Sequence, residues 1–525
     1  MAKTAFPQVY PYSAAVLRKL LIQKRGLPRH RDAADKRQIN YLGDYLTHLG
    51  VRTIVAESHY VDHDFLEDFS AYYVRCFRTY ERTCQRLHFF RTPFAKRQWD
   101  SLLERAGNQL RASDLQRERE YVGFVVGRPL PLAVIGRTCL APPLDARNAA
   151  HYPTTREYDV NLCGISLRVE TLGFQEQDEF AAKCATAALW SAFQGTAKLF
   201  QHAIPSPVEI TQHATSISPF GGRAIPNLGL TDEQIGHAIR QVGLEPLLIN
   251  AFASEVLKAT AYAYLRGKIP LLLNIRLEDP VTKGVPEQSH EVAVTGYRLD
   301  ETVSEPAEKK LTPLVAHRCS CLFVHDDRVG PFAEMGFDVL AKRLTTQWIS
   351  TDDASRTLVA IPGNLIIPVY HKIRIPFQRI YEEVSHLHEL LVEGLWPQDK
   401  DHVMAPILRA VEWDIYLTTV NSFKAEVHSS NSIAPQQKRN ILQTCLPRFL
   451  WRATALSRNK PILDLLFDAT DIEQGDLFIC AVQADPALAT LLRLVATLNL
   501  LSSKHRRTSA TEILNWFKDN TIATE

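Results

Sequence analysis

The sequence predicts an α+β protein in three regions, and three observations predict it. Between residues 151 and 375 helical patterns come first and strand patterns follow, the order expected of helices packed on an antiparallel sheet. Residues 1–150 alternate short helical and short strand signals, which reads as an α/β layer of unknown role. Residues 376–525 mix both periods without a repeating order and read as a C-terminal accessory region. At 525 residues the chain is long enough for several domains, each with its own core.

Bulk properties exclude several classes. Formal net charge is +2, so total charge asks for neither nucleic acid nor an anionic membrane. Two basic stretches, 18–37 and 504–507, read as solvated surface. No apolar run has the length of a membrane span, and the N-terminus lacks the apolar core of a signal peptide. The nine cysteines are odd in number and contain no CxxC pair, so the expected compartment is the cytoplasm. Cys319 and Cys321 lie two apart in an alternating stretch and share one strand face. Gly221 and Gly222 make a turn, not a phosphate loop, and no cofactor is expected.

In the N-terminal region, residues 38–49 form an amphipathic helical pattern that Gly50 closes. Residues 52–57, 86–90 and 121–126 read as strands. A long helix is expected over 62–80, with Phe65, Phe69, Tyr72, Tyr73 and Cys76 on one side and Asp62 as its N-cap. Another is expected over 96–106. His59 and His63 are four apart, the spacing of one helix face, but no third ligand stands at a matching distance, and no metal site is expected.

The central region begins with a strand pair over 158–171. Helices follow over 184–200, from about Ser206, from Thr231 and over 251–265; Thr231 to Gln234 is a capping box. Strand patterns then occupy 269–275, 290–298, 318–325, 357–361 and 366–375. Cys184 opens its helix, where the dipole favours a thiolate, and the small residues after it leave room for a substrate carbonyl. A lone cysteine on an apolar helix is most often a core residue. His290 changes that weighting. It opens a core strand, from which a neutral imidazole can accept a thiol proton. The following strand ends in Asp326, placed to hold the imidazole tautomer, with Asp327 as the alternative acid. His325 should face the other side of that strand.

The ordered set of Gln175 and Gln177, the Cys184-led helix, Gly229-Leu230, the strand after Pro270, His290 to Gly296, and Asp326 to Gly330 resembles the papain-like superfamily. Within it, the set is most similar to the bacteriocin-processing cysteine peptidase domains that cut double-glycine leaders. The resemblance covers roughly two hundred residues and implies a papain-like domain over 151–375. It implies Cys184 as nucleophile, His290 as base, Asp326 as orienting acid and Gln177 as oxyanion partner, although Gln177 stands seven residues before the cysteine and the family's glutamine six. The activity implied is thiol-dependent hydrolysis of a peptide or isopeptide amide, on a protein or peptide substrate. Acyl transfer or deamidation on the same triad, and a non-catalytic papain-like interaction module, stand as alternatives. The flanking regions leave room for a regulatory protein partner.

In the C-terminal region 377–395, 487–501 and 509–517 read as helical, and 414–427 fits a strand or a helix.

Overall fold

The computed structural model describes residues 7–22, 36–104, 120–145, 149–178, 180–217, 225, 229–281, 288–301, 312–338, 343–349, 356–394, 407–408, 410–431, 433–472, 477–497 and 509–520. The basic stretch at 504–507, the Gly221-Gly222 turn and most of 18–37 lie outside them. The described residues hold thirteen α-helices and several antiparallel sheets, a mixed α+β architecture. No helix among them is long and apolar enough to cross a membrane. The chain divides into two compact units, the first of residues 1–254, 268–298 and 320–369, the second of 255–267, 299–319 and 370–525.

The first unit opens with a five-stranded sheet of β1 (Gln8–Pro11), β2 (Thr53–Tyr60), β3 (Cys84–Phe90), β4 (Tyr121–Gly127) and β5 (Ile135–Leu140), in that order. Helices α1 (Ala14–Ile22), α2 (Arg37–His48), α3 (His63–Ala71) and α4 (Lys96–Leu103) lie between its strands. Every pairing is antiparallel, which corrects the expected α/β layer. α3 and α4 are only about 12–14 Å long by helix rise, against about 23–27 Å for β2 and β3, so neither carries the chain back to begin a parallel strand. The sheet is apolar on both faces. Ile54, Leu87 and Val122 pack under α1 and α2, while Val55, Phe90 and Tyr121 pack with Phe65, Trp99 and the hairpin of β7 (Arg156–Leu162) and β8 (Ile165–Thr171). A short strand, β6 (Ala150–His151), precedes that hairpin.

The expected helix over 62–80 is shorter. Asp62 caps it, accepting from Phe65 N at 3.1 Å, but α3 ends at Ala71 and a single tight turn follows at Tyr73–Arg75. Tertiary packing overrides the pattern: Tyr73 is drawn against Phe65, Tyr80 and Phe180, and Phe77 is left fully exposed. The helix-face pairing of His59 and His63 fails as well. His59 sits in β2 with φ +58°, where the ladder with β3 shifts register, and only His63 is helical. Gly50 closes α2 at φ +73°, a conformation a side chain would strain.

Four helices come next: α5 (Cys184–Phe200), α6 (Pro207–Thr215), α7 (Asp232–Gln241) and α8 (Ser254–Arg266), the last almost wholly in the second unit. Ser206 and Thr231 each close a capping box. An eight-stranded sheet follows, with path β13 (Gly330–Gly336), β12 (Cys319–Asp326), β11 (Gln288–Leu299), β10 (Leu271–Glu278), β15 (Thr357–Tyr370) and β14 (Leu344–Ile349). β6 adds to β11, and β9 (Leu244–Asn250) adds to β15. A bridge between Phe337 and Leu344 brings the two ends of the path together. The expected strands at 357–361 and 366–375 merge into one, which ends at Tyr370 rather than at 375; between them Gly363 and Asn364 make a bulge against β10 instead of a turn.

The second unit is built on an antiparallel sheet of β16 (Val411–Thr419), β17 (Phe449–Ser457), β18 (Lys460–Asp468) and β19 (Phe478–Ala484). Its helices are α9 (Phe377–Glu389), α10 (Val420–Ser429), α11 (Pro435–Gln443), α12 (Pro486–Thr497) and α13 (Ser509–Asp519), together with most of α8. The ambiguous stretch 414–427 is both elements in turn: β16 ends at Thr419, whose hydroxyl caps α10 by accepting from Ser422 N at 3.2 Å. Trp451 anchors the core, donating to Ile375 O at 2.8 Å with its ring edge against Tyr264.

Candidate active site

Cys184 is the first residue of α5, so its thiol stands at the helix N-terminus, half-buried, while the helix behind it is buried along most of its length. The loop that delivers it is held by charge. Asp178 Oδ1 accepts from Phe180 N at 2.9 Å and Ala182 N at 2.8 Å, and Oδ2 accepts from the Tyr73 hydroxyl at 3.0 Å. Two residues earlier, Glu176 binds Lys36 and accepts from Ile135 N at 3.1 Å, while the Glu176 carbonyl accepts from Arg128 at 2.8 Å. Gln177 is buried between these two anchored acids, in the segment that leads to the thiol.

His290 lies on β11 and Asp326 ends the neighbouring β12. His290 is buried, and its Nε2 stands 3.0 Å from Asp326 Oδ1. The ring also hydrogen-bonds the Cys184 side chain. With Nε2 turned to the carboxylates, Nδ1 is the atom left for sulfur. Asp326 is fixed further: Trp348 Nε1 donates to Oδ2 at 2.6 Å and Arg328 N to Oδ1 at 3.0 Å. The Trp348 ring stands edge-on to the imidazole, centroids 4.9 Å apart. Cys184, His290 and Asp326 are thus brought together in one row.

Asp327 joins them at the edge. Its Oδ1 is 3.4 Å from His290 Nε2, yet neither oxygen accepts a hydrogen bond from a described residue. His325 turns away, as alternation requires, and packs between Phe174 and Phe332.

Electrostatics follow from burial and neighbours. Burial works against a charged His290, but Asp326 and Asp327 outweigh it, and the ring titrates well above the usual histidine range. Burial would raise Asp326; the His290 charge and the donors around it hold it below the usual carboxylate range. Asp327 lacks those donors, and burial pushes it up to about 7. His325, buried among rings, falls to about 3.

Chemically, a proton or a divalent cation suits this cluster: donor atoms of His290, Asp326 and Asp327 lie within 4.8 Å of one another. The sulfur on the other side of the ring favours proton chemistry. Sequence reasoning missed Asp178, Tyr73 and Trp348. Asp178 carried a weak signal, an acid just ahead of the candidate nucleophile; Tyr73 and Trp348 carried none.

Comparison with known proteins returned no matching family model, no matching curated protein and no matching solved structure.

Proposed function

We propose that this chain is a thiol-dependent amide hydrolase of papain-like type, acting on a protein or peptide substrate. The observation that carries the reading is a single buried imidazole bonded to the Cys184 side chain and, through Nε2, to Asp326. Nucleophile, base and orienting acid need that order in space.

The steps follow. His290 takes the Cys184 proton, and sulfur attacks the carbonyl carbon, forming a C–S bond as the C–O π pair moves to oxygen. The oxyanion is met by the Cys184 N–H at the start of α5 and by the Gln177 side chain. The tetrahedral centre collapses, the C–N bond breaks, and His290 returns the proton to the leaving amine. Water, deprotonated by the same ring, then cleaves the thioester to give the acid and the free thiol. Asp326 holds the ring throughout and offsets its positive charge. Acyl transfer replaces the water by an amine in the last step and uses the same groups.

The test is site-mapped alkylation. Cys163 and Cys445 are exposed and serve as internal controls. Under limiting iodoacetamide, Cys184 should label at least about tenfold faster than either, and His290→Ala should abolish that advantage. Equal labelling of all three in the wild type would sink the proposal. A peptide library with and without amine acceptors separates hydrolysis from transfer, and excess EDTA should leave either activity unchanged.

A further inference from the structure

The loop that delivers Cys184 carries an exposed aromatic ring. Phe180 stands four residues before the thiol and is 41% exposed. Tyr72 lies almost flat against it, ring centroids 5.1 Å apart and planes 18° from parallel. Tyr73 stands edge-on to both, 5.3 Å from Tyr72 and 6.5 Å from Phe180, and Tyr80 packs on Tyr73 at 5.3 Å. The same turn leaves Val74 57% exposed and Phe77 wholly so. All of these residues belong to the first unit.

Single exposed apolar residues need no explanation, but a joined group drawn from two distant chain segments does. One buried carboxylate fixes both segments. Asp178 Oδ2 accepts from the Tyr73 hydroxyl at 3.0 Å, and Oδ1 accepts from Phe180 N at 2.9 Å and Ala182 N at 2.8 Å. The rings are held in place before any ligand arrives, which lowers the ordering cost of covering them. The anchor that shapes the approach to Cys184 also presents Phe180, so the exposed rings and the thiol keep a fixed relation.

The chain sets how far apart they stand. Four residues span at most about 14 Å, and the turn around Asp178 shortens that span. An extended peptide advances about 3.3 Å per residue and turns alternate side chains to one face. A peptide whose carbonyl meets Cys184 can therefore lay a side chain on the exposed rings within about four residues of the scissile bond. A small free amide has no part that reaches them. The rings offer flat apolar faces, which suit a large apolar side chain and an aromatic one above all, through offset stacking.

We propose that the Phe180–Tyr72 pair is the specificity-determining subsite of the thiol row, receiving one large apolar side chain, aromatic in preference, from a peptide substrate within about four residues of the scissile bond. This subsite rests on Cys184 as nucleophile and narrows the substrate to a polypeptide with an aromatic residue near the cut. It gives the N-terminal region, which supplies Tyr72 and the turn behind it, a part in choosing the substrate.

The experiment is alkylation of the full-length protein with N-methyl chloroacetamide and with N-(phenylalkyl) chloroacetamides whose chains reach up to about 14 Å, the labels mapped by mass spectrometry. Each phenyl rate divided by the methyl rate at the same thiol cancels that thiol's intrinsic reactivity. At Cys184 the best chain should give a ratio of at least about five, the gain expected when a ring covers part of an exposed aromatic pair, and at the exposed Cys163 and Cys445 a ratio near unity. Phe180→Ala and Tyr72→Ala should each bring the Cys184 ratio down to about two or less without slowing methyl labelling. Phe180→Trp, which keeps a stacking face, should preserve it. In a peptide library, cleavage should favour Phe, Tyr or Trp at one position within about four residues of the cut. Methyl labelling of Cys184 no faster than that of Cys163 and Cys445 would sink the thiol reading, and this subsite with it. Fast methyl labelling with a phenyl ratio near unity at every chain length would overturn the subsite alone, as would a ratio undiminished in both alanine variants. Sedimentation showing a dimer that Phe180→Ala dissolves would give the surface to a second copy of the chain and overturn it too.

Discussion

The Tyr73 hydroxyl donates to Asp178 Oδ2 at 3.0 Å, tying the turn after α3 to the loop that delivers Cys184. Asp178 spends its other oxygen on the Phe180 and Ala182 amides, so one buried carboxylate shapes the turn and anchors it. Removing Asp178 leaves a buried phenol and two amides without an acceptor. Asp178→Ala should cost about 3 kcal/mol in urea unfolding and slow Cys184 alkylation in the folded protein. Tyr73→Phe should cost about 1 kcal/mol and leave alkylation close to wild type, since the two amide bonds remain. Unchanged stability in Asp178→Ala would remove the loop's role from the account.

Asp326→Asn keeps the shape of the acid and loses its charge. Without that charge, burial pulls the His290 titration down. Cys184 alkylation at neutral pH should fall at least about tenfold, and peptide hydrolysis further, because an amide can also hold the wrong imidazole tautomer. The alkylation rate against pH, from 5 to 10, is the measurement.

Trp348→Phe retains a ring beside His290 but leaves Asp326 Oδ2 without its 2.6 Å donor. The expected cost is about 1–3 kcal/mol of stability, with a smaller loss of activity than Asp326→Asn causes. A larger activity loss than in Asp326→Asn would mean that Trp348 touches substrate.

Asp327 sets a pH dependence of opposite sign to Asp326. Its folded value of about 7 lies above the ordinary aspartate value, so the folded state keeps this proton to higher pH than the unfolded chain. Its contribution to stability is fully present below about pH 4 and is lost as pH rises through about 7. Asp326, held low, contributes stability that is present above about pH 4 and is lost as pH falls below that. Asp327→Asn should therefore flatten the decline in melting temperature between about pH 5 and 8. A decline as steep as that of the wild type would show that other groups set it.

In the second unit, Arg452 grips Asp464 with two nitrogens, at 3.0 and 2.8 Å, and Thr454 Oγ1 adds a 2.9 Å bond. Asp464→Ala removes the two-nitrogen partner and leaves the largely buried guanidinium only Glu426, at 2.6 Å, and the Tyr416 hydroxyl, at 3.0 Å; it should cost about 2–3 kcal/mol by chemical denaturation.

The legible part of this protein was local. Asp62, Ser206 and Thr231 announced helix starts, because a cap is a contact between residues three apart. The antiparallel run from β10 to β12 was visible as alternation, and the place of Cys184 at a helix start as the onset of the helical pattern. β1, β5, β6, β9, β13, β14 and β17 to β19 were missed: the shorter ones carry little periodic signal, and β17 and β18 are buried almost throughout, so they show no alternation. The end of α3 was misjudged because aromatic packing, not propensity, stops it.

For the candidate site the division is sharper. By itself the sequence determined the order of Cys184, His290 and Asp326 and the element each belongs to, since element type follows from residues within a few positions of one another. Only the tertiary structure decided that these side chains meet, that Asp326 rather than Asp327 takes the imidazole and the indole, and that Asp178 and Tyr73 hold the loop. Those contacts join residues far apart in the chain. Their strength comes from burial, which removes competing water and separates two adjacent aspartates into one held ionised and one pushed toward its proton. No spacing rule in a linear sequence records which side chain loses its water.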